Sequence, residues 1–404
     1  MIRVIAIPSR EEAERELKKI GAEAAGVAIM ADKSVFRTLK IDNVRTIAAN
    51  IIKQEMLSYG GEAATGYGSL DLSARATDIL IAGTLKQFKL LCAKLKRHQF
   101  GLPELAKEVE TALKNHESPP PPITVNGRKF VFGKRTYLMG ILNVTPDSFS
   151  DGGKFLSPDH ALAQAEKMIG DGADIIDIGG ESTRPGAEFV PAAEETERVV
   201  PVIKALSKKK VPVSIDTRKA AVAEAAVRAG AGMINDVSGL RHDRKMAEVA
   251  ARHKVPVAVM HSSGAPKVMQ KRTGYRDLMA DITAYLDKSV KIAENTGVPR
   301  SRVIIDPGFG FGKTPEQNLE ILRRINELKS LGNPVLIGTS RKSTIGHVLG
   351  LPPDRRIEGT SSTMAIAISG GVDIIRVHDV NEMKKIAVMT DAIVRRSSNG
   401  KKES

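Results

Sequence analysis

Cysteine is almost missing from this chain: Cys92 is the only one in 404 residues. It has no internal disulfide partner, so a reducing compartment, the cytoplasm, is expected. Tryptophan is absent and all aromatics together make up 4%. A core must therefore be built from Ile, Val, Leu and Ala. No apolar run is long enough to span a bilayer, which argues against a membrane role. The early charges Arg10, Glu11, Glu12, Glu14 and Arg15 are unlike a signal peptide. There is no HExxH pair, no CxxC pair and no Walker loop, which disfavours zinc-dependent and nucleotide hydrolysis. Acidic residues are the scarcer charge, 47 against 61 Lys and Arg, for a net +14. Such an excess suits an anionic small substrate. No aromatic-interleaved basic patch accompanies it, so nucleic acid is not an expected partner.

What is present is a globular composition, 42% hydrophobic and 27% charged. Residues 1–118 read as a small α/β module of unknown role. Met1 to Ile7 is strand-like, and Arg10 to Ile20 is a helix entered through Ser9 as its cap. Asp42 to Ser58 reads as a second helix stopping at Gly60-Gly61. A short strand at Thr77 to Ala82 precedes helices at 84–97 and 103–115. No catalytic constellation lies in this module. Pro119 to Pro122 cannot be helical and form a stiff spacer, so residues 119–122 are the expected linker. Asn126-Gly127 between two short alternating runs then signals a tight hairpin.

From Tyr137 onward one pattern recurs: a short apolar strand, a polar tip, a helix. Strands end near Leu142, Ile178, Ile215, Ile234, Met260, Ile305, Ile337 and Val377. Helices are expected at Asp159 to Ile169 after Ser157-Pro158, at Lys219 to Ala229 closed by Gly230, at Arg276 to Asn295 and at Glu316 to Lys329. Eight such units in about 270 residues predict a TIM (β/α)8 barrel over 123–404. The alternative, a doubly wound sheet, requires a topological switch that the pattern does not reveal.

The polar residues collect after the strands, where such a barrel carries its chemistry. The first tip bears Asn143, Thr145, Asp147 and Asp151; the second bears Asp177 and the stretch Gly179 to Gly186. Asp216-Thr217-Arg218, Asn235-Asp236 and His261-Ser262-Ser263-Gly264 follow, then Asp306 to Lys313, Thr339 to Ser343, and Arg376 with His378-Asp379. Asp216, Asn235 and Asp306 offer acceptor and amide groups suited to the planar edge of a heterocycle with adjacent N–H groups. Arg184, Arg376 and His378 offer donors for an oxyanion such as phosphate. Ser343 opens the helix after the seventh strand, where backbone N–H groups favour an anion. The Gly-rich Gly308-Phe309-Gly310-Phe311-Gly312-Lys313 looks like a phosphate loop but is weak evidence alone.

The stretches Gly140 to Gly153 and Gly179 to Gly186 resemble the two signatures of the dihydropteroate synthase family. Ser214 to Thr217, Ile234 to Asp236, Asp306 to Lys313, Ser340 to Ser343 and Arg376 to Asp379 match its later motifs in order. The resemblance runs from about Val125 to the C-terminus, and residues 1–118 look like the N-terminal extension of longer members. It implies a TIM-barrel transferase joining 6-hydroxymethyl-7,8-dihydropterin diphosphate to p-aminobenzoate with Mg²⁺, as a homodimer. It assigns the pterin to Asp216, Asn235, Asp306, Lys342 and Phe311, and Mg²⁺ to Asn143. Thr183, Arg184, Arg376 and His378 surround the diphosphate. Phe149, Pro185 and Ser343 form the aminobenzoate site, which Phe311 shares. Asp151 lies near the reacting carbon; with Asn143, Thr183, Arg184, Lys342, Arg376 and His378 it makes the expected catalytic set. Family members usually carry a Met soon after the fifth-strand His, and Ser262-Ser263 here put the apolar wall of the pterin pocket in question. A pterin-binding methyltransferase domain is the rival reading, since it shares the barrel and the Asp/Asn grip but needs no diphosphate site. A non-enzymatic binding module is the third.

Overall fold

Strong local signals place most elements where the chain pattern puts them; long-range pairing moves the rest. The computed structural model describes residues 1–144, 158–182, 189–209, 211–264 and 273–395. They divide into two compact units, Met1–Ser118 and Pro119–Ser404.

The first unit begins with α1 (Arg10–Lys19), where Ser9 Oγ accepts from the Glu12 N–H at 3.2 Å. Then come α2 (Ala24–Ser34), β1 (Phe36–Arg45), α3 (Thr46–Ser58), β2 (Glu62–Thr65), β3 (Ala76–Thr84), α4 (Leu85–Leu95) and α5 (Leu102–Glu117). The sheet is antiparallel in the order β1-β3-β2. Two expectations need correction. Residues 1–7 form no strand, and Ile2 and Val4 stand exposed because no sheet edge receives them. The expected helix from Asp42 starts only at Thr46. The preceding residues belong to β1, whose pairing with β3 from Phe36↔Thr84 to Arg45↔Ala76 outweighs local helix preference. Helix α2 and strand β2 have no counterpart in the sequence reading.

The second unit opens with the hairpin β4 (Ile123–Val125) and β5 (Arg128–Phe130). Asn126 and Gly127 both take positive φ, 48° and 79°, as a two-residue turn between twisted strands requires. Eight parallel strands follow: β6 (Tyr137–Asn143), β7 (Ile175–Gly179), β8 (Val213–Asp216), β9 (Met233–Asp236), β10 (Val257–Met260), β11 (Val303–Asp306), β12 (Leu336–Ile337) and β13 (Ile374–Val377). Each pairs with the next in sequence except β11 and β12, β13 returns to β6, and a single Ile305↔Val335 bridge joins β11 to the segment entering β12. The sheet is thus a closed barrel with no reversal of strand order, which excludes the doubly wound alternative.

Helices α6 (Pro158–Gly170), α7 (Ala192–Ser207), α8 (Ala220–Ala229), α9 (Lys245–His253), α10 (Leu278–Asn295), α11 (Pro315–Arg324), α12 (Ser343–Leu349), α13 (Ile357–Ser369) and α14 (Val380–Val394) alternate with the strands. Gly230, at φ 119°, closes α8. The helix expected through Lys329 ends at Arg324 and continues as 3₁₀ turns that bury Ile325, Leu328 and Leu331. Strand residues alternate between two cores. Ile176, Ile178, Ile215 and Val259 pack toward the helices. Met139, Ile175, Met233, Ala258, Ile304, Leu336 and Ile374 cluster instead with Ile123, Val125, Phe130 and Phe132. The hairpin therefore plugs the barrel at the strands' N-terminal ends and leaves their C-terminal ends to the site. Among the described residues no helix is long and apolar enough to cross a membrane.

Candidate active site

Three strand ends and one arginine make a single buried network. Arg376, on β13, donates from Nε to Asp177 Oδ2 and from Nη2 to Asp216 Oδ2, each at 2.6 Å. Asn235 Nδ2 adds a third bond to Asp177 Oδ2 at 2.9 Å. Neighbouring register brings these side chains together, since Asp177 lies opposite Ser214 and Asp216 opposite Asn235. Oδ1 of Asp177 and Oδ1 of Asp216 are buried without a hydrogen-bond partner among the described residues. Burial pushes the Asp216 carboxyl up to about 7; Arg376 opposes the rise, and Asp177, Glu195 and Asp236 reinforce it. Asp177 carries no role in the sequence reading. The signal for it was an aspartate embedded in the apolar run Ile175-Ile176-Asp177-Ile178, a position that demands a charged partner.

The second cluster follows β11. Asp306 is buried, and its Oδ1 accepts from the Gly308 N–H at 2.7 Å. Burial raises the Asp306 carboxyl above its ordinary range, with the Lys342 charge opposing. Gly308 sits at φ +68°, and a Cβ there would lie 1.9 Å from the His261 carbonyl oxygen, so the loop needs glycine to pass. Lys342 is half-buried; its Nζ donates to the Phe309 carbonyl and stands 4.4 Å from the Phe311 ring centroid. Burial lowers its pKa to about 8, against the pull of Asp306. Lys342 precedes α12 as its cap residue, after Arg341 with φ +59°. That backbone is held by the Arg341 N–H to Thr360 Oγ1 and by Arg356 Nη1 to the Arg341 carbonyl at 2.9 Å. Ser343 is the exposed first residue of α12.

His378 follows β13 and shares a 3.0 Å bond between Nδ1 and Ser340 Oγ, which links the seventh and eighth tips. Asn143 ends β6, and its Oδ1 is 3.8 Å from where a Cβ on Gly179 would stand, beside the second tip. Behind that tip Glu181 accepts from Arg218 Nη2 at 3.2 Å and from Lys219 Nζ at 2.9 Å. Burial would raise the Glu181 carboxyl, but these bonds hold it below its usual value. After β10, Ser262 Oγ turns back to the Gly264 carbonyl at 2.7 Å and offers no apolar wall. The expected site residues Phe149, Asp151, Thr183, Arg184 and Pro185 lie outside the described residues, as do Thr145, Asp147 and Ser157. Among the described residues no group of three His, Cys, Asp or Glu could hold a metal.

The strand ends thus present buried acceptors, an amide and two cations, Arg376 and Lys342, an arrangement able to bind a planar N–H-rich ring beside an anion. Comparison with known proteins points the same way. The pterin binding enzyme family matches residues 139–378. Dihydropteroate synthase from a Synechocystis strain is 51% identical over 278 residues, 68% of this chain and 96% of that protein. The dihydropteroate synthase structure from Clostridium difficile, in the presence of pteroic acid, aligns at 53% identity. Its TM-score is 0.63, and the match covers 66% of this chain and all of that one. The Xanthomonas albilineans enzyme with 4-aminobenzoic acid aligns at 41% identity and TM-score 0.64, covering 68% of this chain and 98% of that one. This chain belongs to the pterin-binding enzymes and, within them, to the dihydropteroate synthase family.

Proposed function

We propose that this chain is the transferase of folate biosynthesis that condenses 6-hydroxymethyl-7,8-dihydropterin diphosphate with p-aminobenzoate, giving 7,8-dihydropteroate and diphosphate. The observation that carries this reading is the pair of buried carboxylate oxygens on Asp177 and Asp216 that lack partners. A buried unsatisfied acceptor costs about 1–3 kcal/mol. A pterin edge, with adjacent ring and amino N–H groups, supplies the missing donors. Asp306 accepts further N–H bonds, Asn235 adds its amide, and Lys342 with Phe311 covers the ring face. Arg376 and His378 serve the diphosphate, joined by Thr183 and Arg184. Phe149, Pro185 and Ser343 form the aminobenzoate site, and Asp151 stands near the reacting carbon.

An arylamine is unprotonated at neutral pH, so no strong base is needed. The demanding event is cleavage of the bond from the methylene carbon to the diphosphate oxygen, whose electron pair leaves with diphosphate. The electron-rich pterin stabilises the cationic methylene, the amine nitrogen closes the new C–N bond, and its surplus proton departs. Fixed cations stabilise the growing negative charge without a covalent enzyme intermediate. Mg²⁺ fits the donor set. Asn143 offers one carbonyl oxygen at the end of β6, the kind of ligand that joins substrate phosphates and water around this ion. Bound there, Mg²⁺ would supply further charge stabilisation to the leaving group.

A homodimer in the cytoplasm completes the proposal. Ile366 on α13, with Val388, Met389 and Ile393 on α14, leaves an exposed apolar stripe that a second copy would cover. Turnover decides the function: purified protein with both substrates and Mg²⁺ should release diphosphate and form dihydropteroate. Binding of methyl-tetrahydrofolate with no diphosphate release would replace this reading with the methyltransferase one.

A further inference from the structure

Lys313 closes the Gly-rich stretch after β11, where a phosphate-binding lysine would be sought. It is instead 4% exposed, and its amino group turns inside the protein. Nζ lies 2.9 Å from His261 Nδ1, 2.9 Å from the Gly308 carbonyl oxygen and 3.0 Å from the Phe311 carbonyl oxygen. Three acceptors thus surround Nζ within hydrogen-bond distance, and burial lowers its pKa to about 7 against the pull of Asp306. His261, also 4% exposed, is held from the other side by Tyr285, whose ring centroid is 4.7 Å away. Burial and the neighbouring Lys313 charge keep its imidazole neutral, so Nδ1 is the acceptor and Nε2 carries the proton.

We infer that Lys313 is a positioning residue for the pterin pocket: by tying β10's tip to both ends of the Gly308–Phe311 turn, it fixes Phe311 against Lys342. Around it the Gly308 N–H donates to Asp306 Oδ1, the Phe311 N–H to the Gly308 carbonyl and the Tyr275 hydroxyl to the Gly312 carbonyl. Gly308, Gly310 and Gly312 all take positive φ, so this backbone has unusual freedom. One further anchor is the Gly310 N–H to Asn318 Oδ1 bond at 2.7 Å. The turn also carries the Phe309 carbonyl, to which Lys342 Nζ donates. A shift of the turn therefore moves the ring and the cation that face the pterin, and the aminobenzoate site feels it only through the shared Phe311 ring.

This inference rests on the pterin-binding reading above, so the test includes wild-type protein as the control for that reading. Lys313→Met keeps the apolar stem and removes all three donors; Lys313→Gln keeps a shorter donor and serves if the first variant does not fold. Both are compared with wild type by steady-state turnover of pterin diphosphate and p-aminobenzoate with Mg²⁺, alongside thermal melting. The expected result is a KM for the pterin diphosphate raised at least about tenfold, with a smaller rise in the KM for p-aminobenzoate, whose site shares only Phe311. A merely structural lysine would lower melting temperature and apparent kcat while leaving both KM values in place, and that result overturns the inference. So does a pterin KM within twofold of wild type in a folded variant. Failure of wild-type protein to turn over would instead overturn the functional reading itself.

Discussion

Replacing Asp306 by Asn tests the pterin assignment with almost no change of shape. In the native loop Asp306 Oδ1 accepts from the Gly308 N–H at 2.7 Å. An asparagine has one side-chain oxygen, and the Gly308 N–H claims it, because turning the amide over would oppose two donors inside the loop. The NH₂ must then occupy the place of the second carboxylate oxygen, where the ligand's N–H groups arrive. One charge-assisted bond, about 1.5–3 kcal/mol, is lost, and an unsatisfied buried donor adds about 1–3 kcal/mol. At about 1.4 kcal/mol per factor of ten, pterin affinity should fall at least about tenfold. The retained Gly308 bond should preserve the fold, so melting should change little. Calorimetric titration with the pterin diphosphate and Mg²⁺ is the assay. Unchanged affinity in folded Asp306→Asn protein would remove Asp306 from the pterin site and refute the argument.

Further outcomes follow from the same geometry. Arg376→Met leaves Asp177 and Asp216 buried without their cation and should cost about 3–5 kcal/mol of stability, read as a lower melting temperature without ligand; unchanged melting would contradict the buried pairing. Asp216 binds its proton more tightly folded, at about 7, than unfolded, near 3.8. The native state therefore takes up protons between those values, and Asp216 costs stability progressively as pH rises from about 4 to 7, with no further change above. Melting temperatures of Asp216→Asn relative to wild type should shift in the variant's favour across that window, and a flat difference would exclude the raised carboxyl. Chelation of Mg²⁺ should abolish turnover while a pterin lacking the diphosphate still binds in calorimetry; loss of both would put the ion in the pterin grip instead. Protein beginning at Ile123 should retain turnover if it folds, since all candidate chemistry follows the proline spacer; a folded but inactive product would give residues 1–118 a part in the site.

Local chemistry determined a good deal by itself. Each strand tip is written as an apolar run broken by polar residues, so the eight ends, and the arrival of Asp216, Asn235, Asp306 and Arg376 at one mouth, were legible before any coordinates. Asn126-Gly127, Ser9 and Gly230 act over one to three residues and stand where their turn and capping preferences put them. What depended on partners distant in the chain was not legible. Strand β1 exists because β3 pairs with it, although its last residues read as the start of a helix. Residues 1–7 look like a strand but have no edge to join. Arg376 reads as a diphosphate ligand in sequence, but nothing local shows that its guanidinium also bonds to Asp177, 199 positions away, and to Asp216, 160 positions away. Lys313 ends a Gly-rich stretch that could be mistaken for a phosphate loop, and it turns inward to His261. Residue type and spacing specify which groups reach the barrel mouth, because strand periodicity is local. Which of them bind one another and which still require a ligand is decided only when the barrel closes, since register and burial are properties of the assembled ring.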